Sequence, residues 1–117
     1  MEKWKEELKG ADVDVDNAIA RFCGKEERYV KYLKLFGSDN SYDKLIESLD
    51  RGDCNEAFEC CHSLKGIAGN LGFRGIFPNM YDACEKLRAG EMDGVEEIVK
   101  GVENNYRTII DIIDKYL

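Results

Sequence analysis

The chain has 117 residues, room for one domain and one core and too few for a nucleotide-binding kinase domain as well. Hydrophobic residues make up 44% and charged residues 35%, the balance of a water-soluble globular protein. A net charge of -7 without a basic stripe excludes nucleic acid as an expected partner, and the lack of any long apolar run excludes a membrane-spanning segment.

Helical spacing dominates from the N-terminus onward, while strand alternation is weak throughout. Residues 2–9 read as a first short helix with Trp4 and Leu8 on one side. Asp14 is placed to cap a second, 15–22, carrying Val15, Ile19 and Phe22. A third, 25–36, puts Tyr29, Leu33 and Phe36 on one stripe, and Gly37-Ser38-Asp39 turns the chain. Residues 40–50 align Tyr42, Leu45, Ile46 and Leu49. After the break at Arg51-Gly52-Asp53, Asp53 and Glu56 form a capping-box pattern that opens a long helix to about Leu71. Gly72 suits the left-handed position at its end. A sixth helix, 76–89, tolerates Pro78 in its first turn, and Gly90 stops it. The last, 93–116, carries Val95, Ile98, Val102, Tyr106, Ile109, Ile113 and Tyr116 as a bundle seam. Short loops between amphipathic helices predict an all-α fold: an antiparallel four-helix bundle with additional short N-terminal helices over one end. Residues 1–117 are expected to form a single domain, and a monomer.

The five cysteines (Cys23, Cys54, Cys60, Cys61, Cys84) are odd in number and follow no disulfide spacing. With no signal peptide ahead of them, they read as reduced thiols, mostly buried, of a cytoplasmic protein. Cys60, Cys61 and His62 are adjacent, which spreads them around a helix and argues against a metal site.

The helix 53–71 carries the only histidine of the chain. At about 100° per residue, Ala57, Cys61, Leu64, Ala68 and Leu71 gather on one face, the core face. His62, Lys65, Gly66 and Gly69 gather on another, roughly 140° away by the same count. The imidazole is therefore expected to face outward, with Lys65 about 5–6 Å along the surface. Two mid-helix glycines cost roughly 2 kcal/mol relative to alanine, and the core does not need them there. Their expected role is steric: a smooth surface that lets another protein come close to the ring. An ordinary imidazole is largely neutral and nucleophilic at pH 7. Phosphoryl transfer asks for an in-line nucleophile and positive charge near the phosphoryl oxygens, which His62 and Lys65 can supply. Phe58, one turn before, is expected either on the partner surface or beneath the N-terminal helix. Ile19 and Phe22 are expected in the core, near the border of that surface.

At His62-Ser63-Leu64-Lys65-Gly66, leading to Leu71-Gly72, the sequence resembles the histidine-containing phosphotransfer (HPt) domains of two-component phosphorelays. That family's pattern is H-x-L-K-G followed, a few residues on, by an apolar residue and Gly. The segments ADVDVDNAIARFCGKEERYVKYLKLF, SLDRGDCNEAFECCHSLKG and KLRAGEMDG resemble the family's flanking helices and turns, so the resemblance covers nearly the whole chain. It implies that His62 accepts a phosphoryl group on Nε2 from a receiver-domain aspartate and passes it to another receiver. It implies that Lys65 steadies the phosphate and that Gly66 and Gly69 leave room for the receiver's loops. The partners it implies are receiver domains of response regulators or hybrid kinases. No cofactor and no metal are expected in this chain, since the magnesium of such transfers belongs to the receiver. Many members place Gln or Glu 22 residues after the histidine; here Cys84 stands there, with Glu85 next. Either Glu85 reaches inward or the imidazole lacks that partner. Two other readings compete: a histidine kinase dimerisation segment, and a structural or thiol-sensing bundle with a vestigial site.

Overall fold

The computed structural model describes residues 2–117. Along them run eight helices: α1 (Lys3–Gly10), α2 (Val15–Arg21), α3 (Glu26–Gly37), α4 (Ser41–Arg51), α5 (Cys54–Leu71), α6 (Phe77–Arg88), α7 (Val95–Lys100) and α8 (Glu103–Tyr116). They form the helical bundle that the periodicity predicts. The chain's one strand-like pairing among the described residues is a single bridge, Val13 to Phe73, which ties the α1–α2 linker to the α5–α6 linker.

The bundle is built in two tiers, with overall extents of 44 × 25 × 20 Å. In one tier α4, α5, α6 and α7 pack around a common core, with α4 and α6 on either side of α5. In the other, α3 lies against α8 and α5, α1 lies along α8, and α2 covers the C-terminal end of α5. The α3–α4 stretch and the α7–α8 stretch run antiparallel, so α3 meets α8 and α4 meets α7. Tyr42 and Tyr106 stack at this junction with ring centroids 4.4 Å apart, and Arg107 reaches Asp43 at 3.0 Å.

Most positions of the stripes read from sequence are buried, while Ile46, Leu49 and Ile98 are half-buried. Trp4, Leu8, Val15, Tyr29, Leu33, Phe36, Tyr42 and Leu45 are all in the core, as are all five expected residues of α5. Tyr116, expected in the core, is only half-buried, and its hydroxyl bonds the Glu7 carboxylate. Ile19 and Phe22 also pack half-buried on the core edge.

Two local expectations are corrected. Asp14 precedes α2, but its side chain does not cap it: the carboxylate accepts from Asn17 Nδ2 at 2.8 Å. Its backbone N–H instead donates to the Gly72 carbonyl at 2.7 Å, fastening α2 to the end of α5. The helix expected over 93–116 is two helices, α7 and α8. Asn79 of α6 donates its amide to the Ile98 carbonyl at 2.9 Å, occupying the acceptor that Val102 would need to continue the helix. Val102 N–H turns to Val99 O instead. Gly101 fits the break, because a Cβ there would lie 3.2 Å from both Asn79 Nδ2 and Ile98 O.

Candidate functional site

α5 begins where the capping pattern predicts. The Asp53 side chain accepts from Glu56 N–H at 3.1 Å, satisfying one of the free donors of the first turn. The reciprocal half of the box is absent; the Glu56 carboxylate is taken by Ser48 Oγ at 3.0 Å and by Arg51. At the far end Gly72 adopts φ +80°, the left-handed cap. Arg21 of α2 donates to the Gly69 and Asn70 carbonyls at 2.8 and 3.4 Å, covering free acceptors of the last turn.

Between these ends the helix turns His62 and Gly66 to solvent, with Lys65 and Gly69 half-exposed on the same side. The ring of His62 is not free. Phe58, one turn earlier, lies against it with centroids 5.7 Å apart and planes 20° from parallel. The guanidinium of Arg88, on α6, stands 5.6 Å from the ring centre of Phe58. Phe58 is half-buried, flanked by the His62 ring and the Arg88 guanidinium of α6. Nδ1 of His62 faces Cys84 Sγ at 4.0 Å. Cys84 is fully buried in the core. Glu85 does not reach inward; its carboxylate pairs with Arg88 at 2.7 Å on the surface.

The Lys65 ammonium leans toward α6 and rests 5.4 Å over the ring of Tyr81, whose own neighbour is Phe77 at 6.3 Å. The two glycines differ. A Cβ on Gly66 would meet nothing within 4 Å, whereas one on Gly69 would come within 3.3 Å of Phe77. Gly66 therefore leaves open space above the helix, and Gly69 lets α6 approach. On the opposite flank of the exposed face lies a cavity of about 520 Å³ lined by Phe22, Tyr32, Leu35, Ile67, Asn70 and Arg21. Tyr32 and Leu35 are 46% and 56% exposed, large values for apolar side chains bordering a cleft.

The thiols divide by place. Cys61 and Cys84 are buried, Cys54 and Cys60 half-buried, and Cys23 exposed, so the expectation of mostly buried thiols holds for two of them fully. Burial pushes the Cys61 thiol up to about 12, which keeps it protonated and inert at neutral pH. Burial also raises Cys60. Among the described residues no cluster of three or more His, Cys, Asp or Glu side chains is placed to hold a metal ion, and no helix is long and apolar enough to cross a membrane.

Sequence spacing brings His62, Lys65, Gly66 and Gly69 to one side of α5. It does not reveal Phe58, Arg88, Tyr81 and Cys84 as their neighbours. Those contacts depend on the register of α6 against α5, set by core packing that no local pattern encodes. A family model described as "Hpt domain" matches residues 37–112, most of the chain. The match spans α4 to α7 and most of α8, so the segment 11–36 that resembles the family's flanking helices lies outside it. No curated protein and no solved structure matches the chain.

Proposed function

The chain belongs to the Hpt domain family, phosphotransfer modules of two-component signalling that work with receiver domains, and on that premise we propose that it is a phosphorelay intermediate carrying the phosphoryl group on His62. The observation that supports this most directly is an exposed imidazole on α5 beside Gly66, where the surface stays open. In this reading the lone pair of Nε2 attacks the phosphorus of a receiver's aspartyl phosphate in line. The P–N bond forms as the P–O bond to the aspartate breaks, and the aspartate leaves as a carboxylate. Transfer to a second receiver runs the same step in reverse. Such a transfer asks little covalent chemistry of the protein beyond position and charge. Lys65 supplies the charge by leaving the Tyr81 ring for the phosphoryl oxygens, a short swing of a flexible stem. Gly66 admits the receiver's loops, and the apolar groove with Leu35 borders the landing face. The chain acts as a monomeric single unit over 1–117 in the cytoplasm, with no ATP-dependent autokinase step of its own.

The test is incubation with a phosphorylated receiver domain, followed by acid and base treatment of the product. The expected label is acid-labile, base-stable and absent from His62→Gln. Uptake of such label by the variant would overturn the assignment. A tight dimer that takes phosphate directly from ATP would instead favour the kinase dimerisation reading.

A further inference from the structure

We propose, building on the reading that His62 is the phosphoryl carrier, that Tyr81 is a positioning residue for Lys65. Its ring holds the ammonium while His62 is bare and gives it up once His62 is phosphorylated. A contact made in only one of two states shifts the equilibrium between them by the strength of that contact. A ring that favours the bare state therefore makes the phosphoryl group on His62 easier to pass on.

The Lys65 ammonium lies 5.4 Å from the centroid of the Tyr81 ring, inside the range of a cation–π contact. Among the described residues it has no carboxylate within ion-pair distance. In a chain with 24 acidic and 17 basic side chains, this lysine rests on a neutral ring instead. The difference matters for a group that has to move. A carboxylate would hold the ammonium by a charge-assisted hydrogen bond and compete on equal terms with phosphoryl oxygens. An exposed aromatic face is weaker and yields to them.

The ring that receives the lysine is itself supported. Phe77, one turn earlier on α6, stands 6.3 Å from it between centroids. Phe77 in turn sits close to Gly69 of α5, where a Cβ would come within 3.3 Å of it. Tyr81 is 48% exposed, so its replacement leaves the core intact. Lys65 follows His62 by one helical turn, and its flexible stem has the imidazole on one side and the ring on the other. When the phosphoryl group arrives, its charged oxygens draw the ammonium off the ring. The lost contact then lowers the stability of the phosphorylated state relative to the bare one.

The experiment sets wild type against Tyr81→Leu in one tube, with phosphoramidate and excess ammonium as the shuttle between them. Phosphoramidate gives its phosphoryl group to Nε2 as its own P–N bond breaks and ammonia leaves, and ammonia takes the group back by the reverse step. At equilibrium the ratio of phosphorylated to bare protein should be roughly two- to fivefold higher for Tyr81→Leu, the span of one exposed cation–π contact. Tyr81→Phe keeps a ring face and should match wild type. In a Lys65→Met background Tyr81→Leu should change nothing, since no ammonium is left to hold. In proton spectra the ring current of Tyr81 should move the Lys65 ε-methylene upfield, and phosphorylation should abolish that displacement. Equal sharing between wild type and Tyr81→Leu overturns the proposal. So does a preference that survives Lys65→Met, or an ε-methylene signal that phosphorylation leaves in place. The two readings fail distinguishably: wild-type protein that takes no phosphoryl group from phosphoramidate or a receiver sinks the carrier assignment and the role of Tyr81 with it. Normal labelling with equal sharing sinks the role of Tyr81 alone.

Discussion

A methyl group added at Gly66 would touch nothing, so the folded chain gains nothing from the absence of a side chain there. Gly66→Ala should raise stability by roughly 0.5–1 kcal/mol, the usual helix-interior difference, seen as a higher midpoint in urea. A larger side chain, as in Gly66→Gln, should slow transfer from a phosphorylated receiver while leaving labelling by a small donor such as phosphoramidate unchanged. That split separates steric access from chemistry. At Gly69 the added methyl meets Phe77 at 3.3 Å, so substitution there should show up in stability as well as in docking. Lys65→Met keeps an unbranched apolar stem and removes the charge that rests over Tyr81. It should cost roughly ten- to a hundredfold in transfer rate, the scale of one lost donor to developing charge, with little change in melting temperature. The outward turn of His62 was legible from 100° steps along one helix, because the five apolar positions opposite it leave α5 a single way to face the core. The ring's own neighbours were not legible: Phe58 is four residues away in sequence, yet its position depends on Arg88, thirty residues on and on another helix.

Among the helices, the junction of α5 with α2 is the tightest local constraint. Gly72 has φ +80°, and a Cβ there would sit 2.7 Å from the Asp14 carbonyl oxygen. Gly72→Ala should therefore cost more than the roughly 1–2 kcal/mol of a left-handed residue alone, measured as a fall in the denaturant midpoint. The break between α7 and α8 should respond to Asn79→Ala, which leaves the Ile98 carbonyl without its donor. The expected loss is about 1 kcal/mol, read by the same denaturation. Here the sequence pattern misled for a definable reason. The apolar spacing over 93–116 continues through the break with no proline to mark it, and the side chain that interrupts the helix comes from α6. Periodicity along one segment cannot register a hydrogen bond delivered from another.

Taken whole, the molecule keeps several weak acids protonated by burying them. Burial, its largest cause in each case, raises Cys61 from 9.0 to about 12 and Tyr42 from 10.0 to about 12, and it raises Tyr29 and Tyr106 as well. Their folded values lie above the unfolded ones, so the unfolded chain gives up these protons first. Stability should be flat through neutral pH and fall between about pH 9 and pH 12, with the denaturant midpoint followed by circular dichroism as the check. Cys61→Ala should remove part of that alkaline slope even though it lowers the midpoint everywhere by opening a cavity.

Of the eight helices, α5 packs in both tiers, against α4 and α6 in one and α2 and α3 in the other. A twist of one tier against the other would pivot on this helix and displace its ends more than its centre. His62 sits near the middle of its 18 residues. The proposed phosphoryl carrier would then sit at a mechanical node, where a docking partner can press on either half of the molecule without shifting the target it has to reach.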